Sequence, residues 1–333
     1  MKINLKIWTR AALALALLTL AAGARAAQAQ ETLTGTWTAS VGDEQHVRKF
    51  GKKFEKSDEK DGEGDAAEKR DGLHLSLERP TEKGGRSQMG QTYDFAELQG
   101  ITRAQAEGGG PVRFALVREA GRVDLEGSFQ NGKGSGTFRF TPDRGFFGAM
   151  KSRGFDFENI SARDHERGEP EDKLFAAAML NVTTALADDL LSADFGKLEV
   201  EDLFKAAIFK VDSRFMREMK ASGFPGLRME ELVKARIFKI DAAFVREAAR
   251  LGFDKEPFES LVKMRIFKVT PEFVAEVRGE GINVNAVEDL VKMRIFNIDA
   301  DFIRRARAEG VPLEVEALVR ERIGVGGRRR SRP

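Results

Sequence analysis

The chain contains no cysteine. Disulfides, thiolate metal sites and thiol nucleophiles are therefore excluded. Histidine is nearly as scarce. His46, His74 and His165 stand in unrelated contexts, and His165-Glu166 lacks the second histidine of a zinc-protease helix. No histidine metal centre, Ser/His triad or cofactor is expected from such a set. Carboxylates are too numerous to single out one acid/base pair. An excess of one charge is also missing: 55 Lys and Arg face 53 Asp and Glu, for a formal net charge of +2. Beyond residue 22 no run is apolar enough to cross a bilayer. With one tyrosine and two tryptophans, aromatic packing falls to 25 phenylalanines.

The one apolar run belongs to a leader. Lys2, Lys6 and Arg10 form a basic start, Ala11 to Ala22 is an Ala/Leu stretch, and Ala27-Gln28-Ala29 is a small-x-small cleavage site. Residues 1–29 thus read as a secretory signal peptide. The chain is expected to be exported, to a bacterial periplasm or beyond it. The leader carries four Lys/Arg and no acid, so its removal takes the charge from +2 to about −2. A near-neutral mature chain argues against a general polyanion binder, and no nucleic-acid partner is expected.

Residues 30–140 read as a β domain. Leu33, Gly35, Trp37 and Ala39 alternate with threonines, and Leu73, Leu75 and Leu77 alternate with His74, Ser76 and Glu78. Val123, Leu125 and Phe129 share a face, continued by Phe138 and Phe140. Asn131-Gly132 between two such runs is a two-residue hairpin signal. Six strands are predicted, at 33–40, 72–79, 88–95, 112–118, 122–129 and 135–140, as a small antiparallel sandwich or partial barrel. Residues 41–71 are a charged insert with little to bury. Gly127 to Lys133 matches G-x-x-x-x-G-K, yet Gly134 follows where a phosphate loop needs Ser or Thr, and the flanks are strands. A plain hairpin is the better reading. Gly35-Thr36-Trp37 resembles the opening of lipocalins, although six strands fall short of their eight.

From residue 141 to 323 one pattern recurs every 29 residues. Leu203, Leu232, Leu261 and Leu290 keep this spacing, as do Ile208, Ile237, Ile266 and Ile295. So do Phe215, Phe244, Phe273 and Phe302, and Gly223, Gly252, Gly281 and Gly310. A fixed period of this size marks stacked repeats. Each repeat predicts two short helices. The first buries a stripe such as Phe258, Leu261, Val262 and Ile266. The second starts at a cap residue (Asp212, Asp241, Thr270, Asp299), closes a hydrophobic staple and ends in a left-handed glycine. Leu174, Phe175, Met179, Val182, Thr183 and Leu186 fit the same frame as a degenerate early copy, with Asp194 in the glycine position. Residues 324–333 form a basic tail.

Two rows of cations run along the first helices: Lys234, Lys263 and Lys292, and Arg236, Arg265 and Arg294. They complement the helix dipole, and Glu230–Lys234, Glu259–Lys263 and Glu288–Lys292 are i, i+4 pairs in the favourable order. They are also the candidate strip for an acidic partner.

The run from Leu261 to Phe273, L-V-K-M-R-I-F-K-V-T-P-E-F, resembles a class of exported bacterial proteins with tandem L-x-x-x-R-I-x-x-V-T-P-x-F repeats behind a small β domain. Similar repeats are appended to antirepressor metallopeptidases of the β-lactam-sensor type. The resemblance implies no catalytic residues, and the peptidase's zinc motif and membrane helices are absent from this sequence. The expectation is an α+β chain: a β module followed by an α-solenoid of helix pairs. It would act as a non-catalytic periplasmic scaffold or sensor for a protein or peptide. The alternative is a small-ligand carrier or enzyme built on the β domain.

Overall fold

A computed structural model of the chain describes residues 32–42, 72–80, 84–157 and 170–325. The expected signal peptide, the insert beyond Gly42, the tail beyond Val325, His46 and His165 lie outside the described residues. The chain divides into two compact units, and each is considered by itself.

The first unit is a single antiparallel sheet of β1 (Leu33–Val41), β2 (Gly72–Pro80), β3 (Arg86–Asp94), β4 (Leu98–Gln99), β5 (Gly110–Arg118), β6 (Gly121–Gln130) and β7 (Lys133–Pro142). A short helix, α1 (Arg103–Gly108), precedes β5. The strand order is β3-β2-β1-β7-β6-β5-β4, a half-barrel in which the first and last long strands pair at the centre. Of the two expected arrangements it is therefore the partial barrel, and a two-residue strand, β4, is added to the six predicted.

Alternation settles which face is buried. Trp37, Leu73, Leu75, Leu77, Phe114, Leu116, Val123, Leu125, Phe129, Phe138 and Phe140 are buried, while Thr34, Thr36 and Thr38 are exposed. The Trp37 ring lies edge-on to Phe114 at 5.4 Å and 5.6 Å from Phe129, and its indole N–H donates to the Glu126 carbonyl at 3.2 Å. Gly136 is the cross-strand partner of both Trp37 and Gly127. A Cβ at Gly127 would lie 2.7 Å from the indole, so this glycine makes room for the tryptophan. Gly127 to Lys133 is thus a hairpin. Asn131 (φ 51°) and Gly132 (φ 74°) turn it with the two positive φ values that a tight hairpin of this kind requires.

The helix α3 (Pro170–Leu180) belongs to this unit, whereas the sequence frame placed it in the solenoid. Phe175 stacks on Phe138 at 5.6 Å and meets Phe140 edge-on at 5.3 Å. The Tyr93 hydroxyl donates to the Met179 carbonyl at 2.7 Å. The frame itself is kept: Asn181, one period before Lys210, has φ 55°. The helix satisfies the repeat pattern but spends its apolar face on the sheet.

The second unit holds the end of α2 (Gly145–Lys151) and ten further helices among the described residues. They are α4 (Thr184–Leu191), α5 (Val200–Phe209), α6 (Ser213–Ala221), α7 (Met229–Ile237), α8 (Ala242–Arg250), α9 (Phe258–Ile266), α10 (Pro271–Gly279), α11 (Val287–Ile295), α12 (Ala300–Ala308) and α13 (Val315–Arg322). The second helices begin where the caps predict. Asp212, Asp241, Thr270 and Asp299 accept from the amides of Phe215, Phe244, Phe273 and Phe302 at 2.8, 2.8, 3.3 and 2.8 Å. They end at Gly223, Gly252, Gly281 and Gly310, all at positive φ. Phe224, Phe253, Ile282 and Val311 then donate back to Met219, Ala248, Val277 and Ala306, the expected Schellman closure.

Candidate interaction edge of the helical repeats

The six cations read from the sequence as a partner strip are engaged inside the stack. Lys234 pairs with Glu259 at 2.6 Å, Lys263 with Glu288 at 2.7 Å and Lys292 with Glu316 at 2.5 Å. Lys205–Glu230, at 2.7 Å, starts the same ladder. Each lysine thus reaches the glutamate of the next repeat, not the one four residues before it. These contacts set α5, α7, α9, α11 and α13 side by side. The Glu259 and Glu316 carboxylates raise the pKa of Lys234 and Lys292, and Lys205 and Lys292 hold the Glu230 and Glu316 carboxyls below their ordinary value.

The arginine row works between repeats as well. Arg236, Arg265 and Arg294 lie over the rings of Phe215, Phe244 and Phe273 at 3.8, 3.8 and 4.0 Å. Arg265 donates to the Lys239 carbonyl at 2.9 Å, and Arg294 to that of Lys268 at 2.7 Å. Burial lowers the Arg294 pKa from its high ordinary value. In α13 this task passes to Arg322, over Phe302 at 5.1 Å and bonded to the Phe296 carbonyl at 2.9 Å. The structure therefore gives both rows a bonding role within the solenoid.

What faces outward is a row the sequence stripe assigned to the core. Ile266 was expected on the buried face; it is 49% exposed. Ile208, Ile237, Ile295 and Ile323 are 50, 53, 51 and 51% exposed. The physical reason lies in the helix end. Each of the first four is at or next to the last helical residue, and the chain then turns through a left-handed residue: Lys210, Lys239, Lys268 or Asn297, with φ 57, 52, 53 and 49°. The following Val211, Ile240, Val269 and Ile298 donate back to Ala206, Ala235, Met264 and Met293, and these four residues occupy the core instead. A side chain in this conformation costs about 1–2 kcal/mol relative to the right-handed one. Lys210, Lys239 and Lys268 are exposed and form no ion pair among the described residues. Sequence reasoning passed over them. The available signal was the recurrence of Ile-Phe-Lys or Ile-Phe-Asn one residue before each staple position.

The β unit offers a different kind of surface. Its inner face is filled by the buried residues named above. A concavity of about 1020 Å³ is lined by Thr36, Arg113, Arg122, Asp124, Glu126 and Arg139 among others. Within it Arg113 pairs with Glu126 at 2.8 Å and Arg122 with Asp124 at 2.7 Å, so these charges are already neutralised pairwise. His74 meets the Thr92 hydroxyl at 3.2 Å across β2 and β3. Among the described residues no group of three or more acidic or histidine side chains is placed to hold a metal ion. No single helix there is long and apolar enough to cross a membrane. Comparison with protein-family models, curated proteins and solved structures gave no match.

Proposed function

We propose that the chain is an exported, non-catalytic scaffold whose helical repeats bind a protein or peptide partner. The observation that supports this best is the unbroken row of half-exposed isoleucines, one per repeat, on helices whose lysines Lys234, Lys263 and Lys292 are bonded to the neighbouring repeat. Isolated exposed apolar residues are ordinary, whereas a row repeated at one structural position marks a surface for contact. Stacked helix pairs commonly bind through such extended faces. The small-ligand alternative needs an apolar pocket with converging polar groups, and the inner face of the β unit is instead filled with side chains.

The full chain used as bait in periplasmic extract, with photo-crosslinkers placed at Ile237 and Ile266, tests this reading. Crosslinks to one recurrent partner support it. Crosslinks only from probes in the β unit, or none at all, overturn it. Export is tested separately by N-terminal sequencing of the periplasmic protein. The expected first residue is Gln30, or one within a few positions of it; an intact Met1 would reject the leader.

A further inference from the structure

We infer that the isoleucine–lysine edge is the binding site, and that its ligand is an extended acidic polypeptide segment carrying one apolar and one carboxylate side chain about every three residues. This rests on the scaffold reading and specifies its surface and partner chemistry.

Three observations converge on it. First, Ile208, Ile237, Ile266 and Ile295 present about half their surface at equivalent positions of adjacent helices. Second, each of the first three is followed two residues later by an exposed lysine, Lys210, Lys239 or Lys268, with no ion pair among the described residues. The ladder lysines one turn earlier, Lys205, Lys234 and Lys263, are bonded to glutamate, whereas the left-handed lysines beside the isoleucines are open to an outside charge. Third, these lysines sit where glycine would relieve strain. The same chain does use glycine for the same task at the end of each second helix, at Gly223, Gly252, Gly281 and Gly310. Three consecutive copies keep a strained lysine instead. Strain retained at an exposed position points to a use for the side chain.

The spacing sets the ligand's form. Packed neighbouring helices lie about 8–10 Å apart. An extended chain of the polyproline II form rises about 3.1 Å per residue with about three residues per turn, so about three residues span one repeat and every third side chain faces the edge. Asn297 replaces the lysine in the fourth copy, so the cationic part covers three repeats. A bilayer fits less well. One half-exposed isoleucine and one partly buried phenylalanine per repeat, Phe209, Phe238, Phe267 or Phe296, make a narrow row broken by charges, not the broad apolar face that an interfacial surface needs. Exposed capping carboxylates, Asp212 and Asp241, stand two residues beyond Lys210 and Lys239. A peptide places its carboxylates opposite the lysines alone; an anionic lipid surface meets the aspartates too.

The test uses the full mature chain and synthetic twelve-to-fifteen-residue peptides, lengths of about three residues per repeat over four or five repeats. Leu-Glu-Ser triplets are compared with Leu-Lys-Ser and Ser-Glu-Ser triplets, and with phosphatidylglycerol vesicles. The Leu-Glu-Ser peptide should bind, weakening with added salt, and the others should not. The variant K210G/K239G/K268G should melt no lower than the parent chain, because glycine suits the conformation, yet bind about tenfold or more weakly. I208S/I237S/I266S/I295S should lose binding as well. The inference is overturned if the Leu-Glu-Ser peptide does not bind, if it binds both variants as it binds the parent, or if the lysine peptide or the vesicles bind instead. If the partner crosslinked in extract is retained by both variants, this edge is wrong and the scaffold reading stands. If the parent chain captures no partner, the scaffold reading falls with it.

Discussion

At the residue scale, one backbone conformation is served by two residue types with opposite consequences. Gly281 has φ 79°, and a Cβ built there meets nothing within 4 Å. Gly281→Ala therefore adds no clash, and its cost is conformational alone, about 1–2 kcal/mol. Denaturant midpoints at unchanged slope should show that loss. A larger one would mean that the turn supports the stacking of neighbouring helices. Lys268, at φ 53°, already bears this cost. The glycines were legible in the sequence because glycine after an amphipathic run is a strong stop signal. The lysines were not, because lysine carries no stop signal of its own and is rarely the residue chosen for a left-handed turn. Lys239 and Lys268 stand two residues past the last helical residues, Ile237 and Ile266, where no stop signal marks them.

At the element scale, the caps and the period were readable because each needs only local chemistry. An Asp or Thr three residues before a Phe bonds the orphan amide wherever the helix is placed. The ion pairs were not resolved for a geometric reason. Glutamate stands four residues before lysine and 29 before the next glutamate. The same lysine therefore has one candidate partner within its helix and another 25 residues on. Local spacing favours the first, and stacking selects the second, as in Lys234–Glu259. Ile266 was misplaced for a related reason, since an apolar residue at i+8 lies on the stripe only while the helix continues. The ladder also has a pH signature. The Glu230 and Glu316 carboxyls are held below their ordinary value by Lys205 and Lys292. Their contribution is present above the ordinary carboxylate pKa and is lost as pH falls through the depressed one. The variant E230Q/E316Q should be less stable than the parent chain at about pH 7, and the difference should close by about pH 2. Equal gaps in thermal midpoint at both ends would deny the ladder an electrostatic role.

At the scale of the whole molecule, the β unit and the repeats report through separate probes. Trp37 and the single tyrosine, Tyr93, belong to the β unit, and most helical residues belong to the other. Burial raises the Tyr93 pKa well above the ordinary phenol value, and its hydroxyl is bonded to the Met179 carbonyl. A phenol with a raised folded pKa contributes stability below its ordinary value of about 10 and loses it as pH rises. Tyr93 should therefore stay un-ionised in alkali until the β unit unfolds. Phe273 is 4% exposed, carries Arg294 over its ring and lies in a central repeat. Truncating such a side chain costs about 3–5 kcal/mol. Because repeats rest chiefly on their neighbours, the loss should spread along the helices. Phe273→Ala should lower the helical circular-dichroism signal and its melting temperature. Trp37 fluorescence and the alkaline onset of Tyr93 phenolate absorbance should remain those of the parent chain. If the tryptophan and tyrosine signals fall together with the helices, the two units unfold as one. The loss of partner binding in that variant would then no longer assign the site to the repeats, and only the glycine-for-lysine and serine-for-isoleucine variants, which leave the core untouched, would decide where the partner sits.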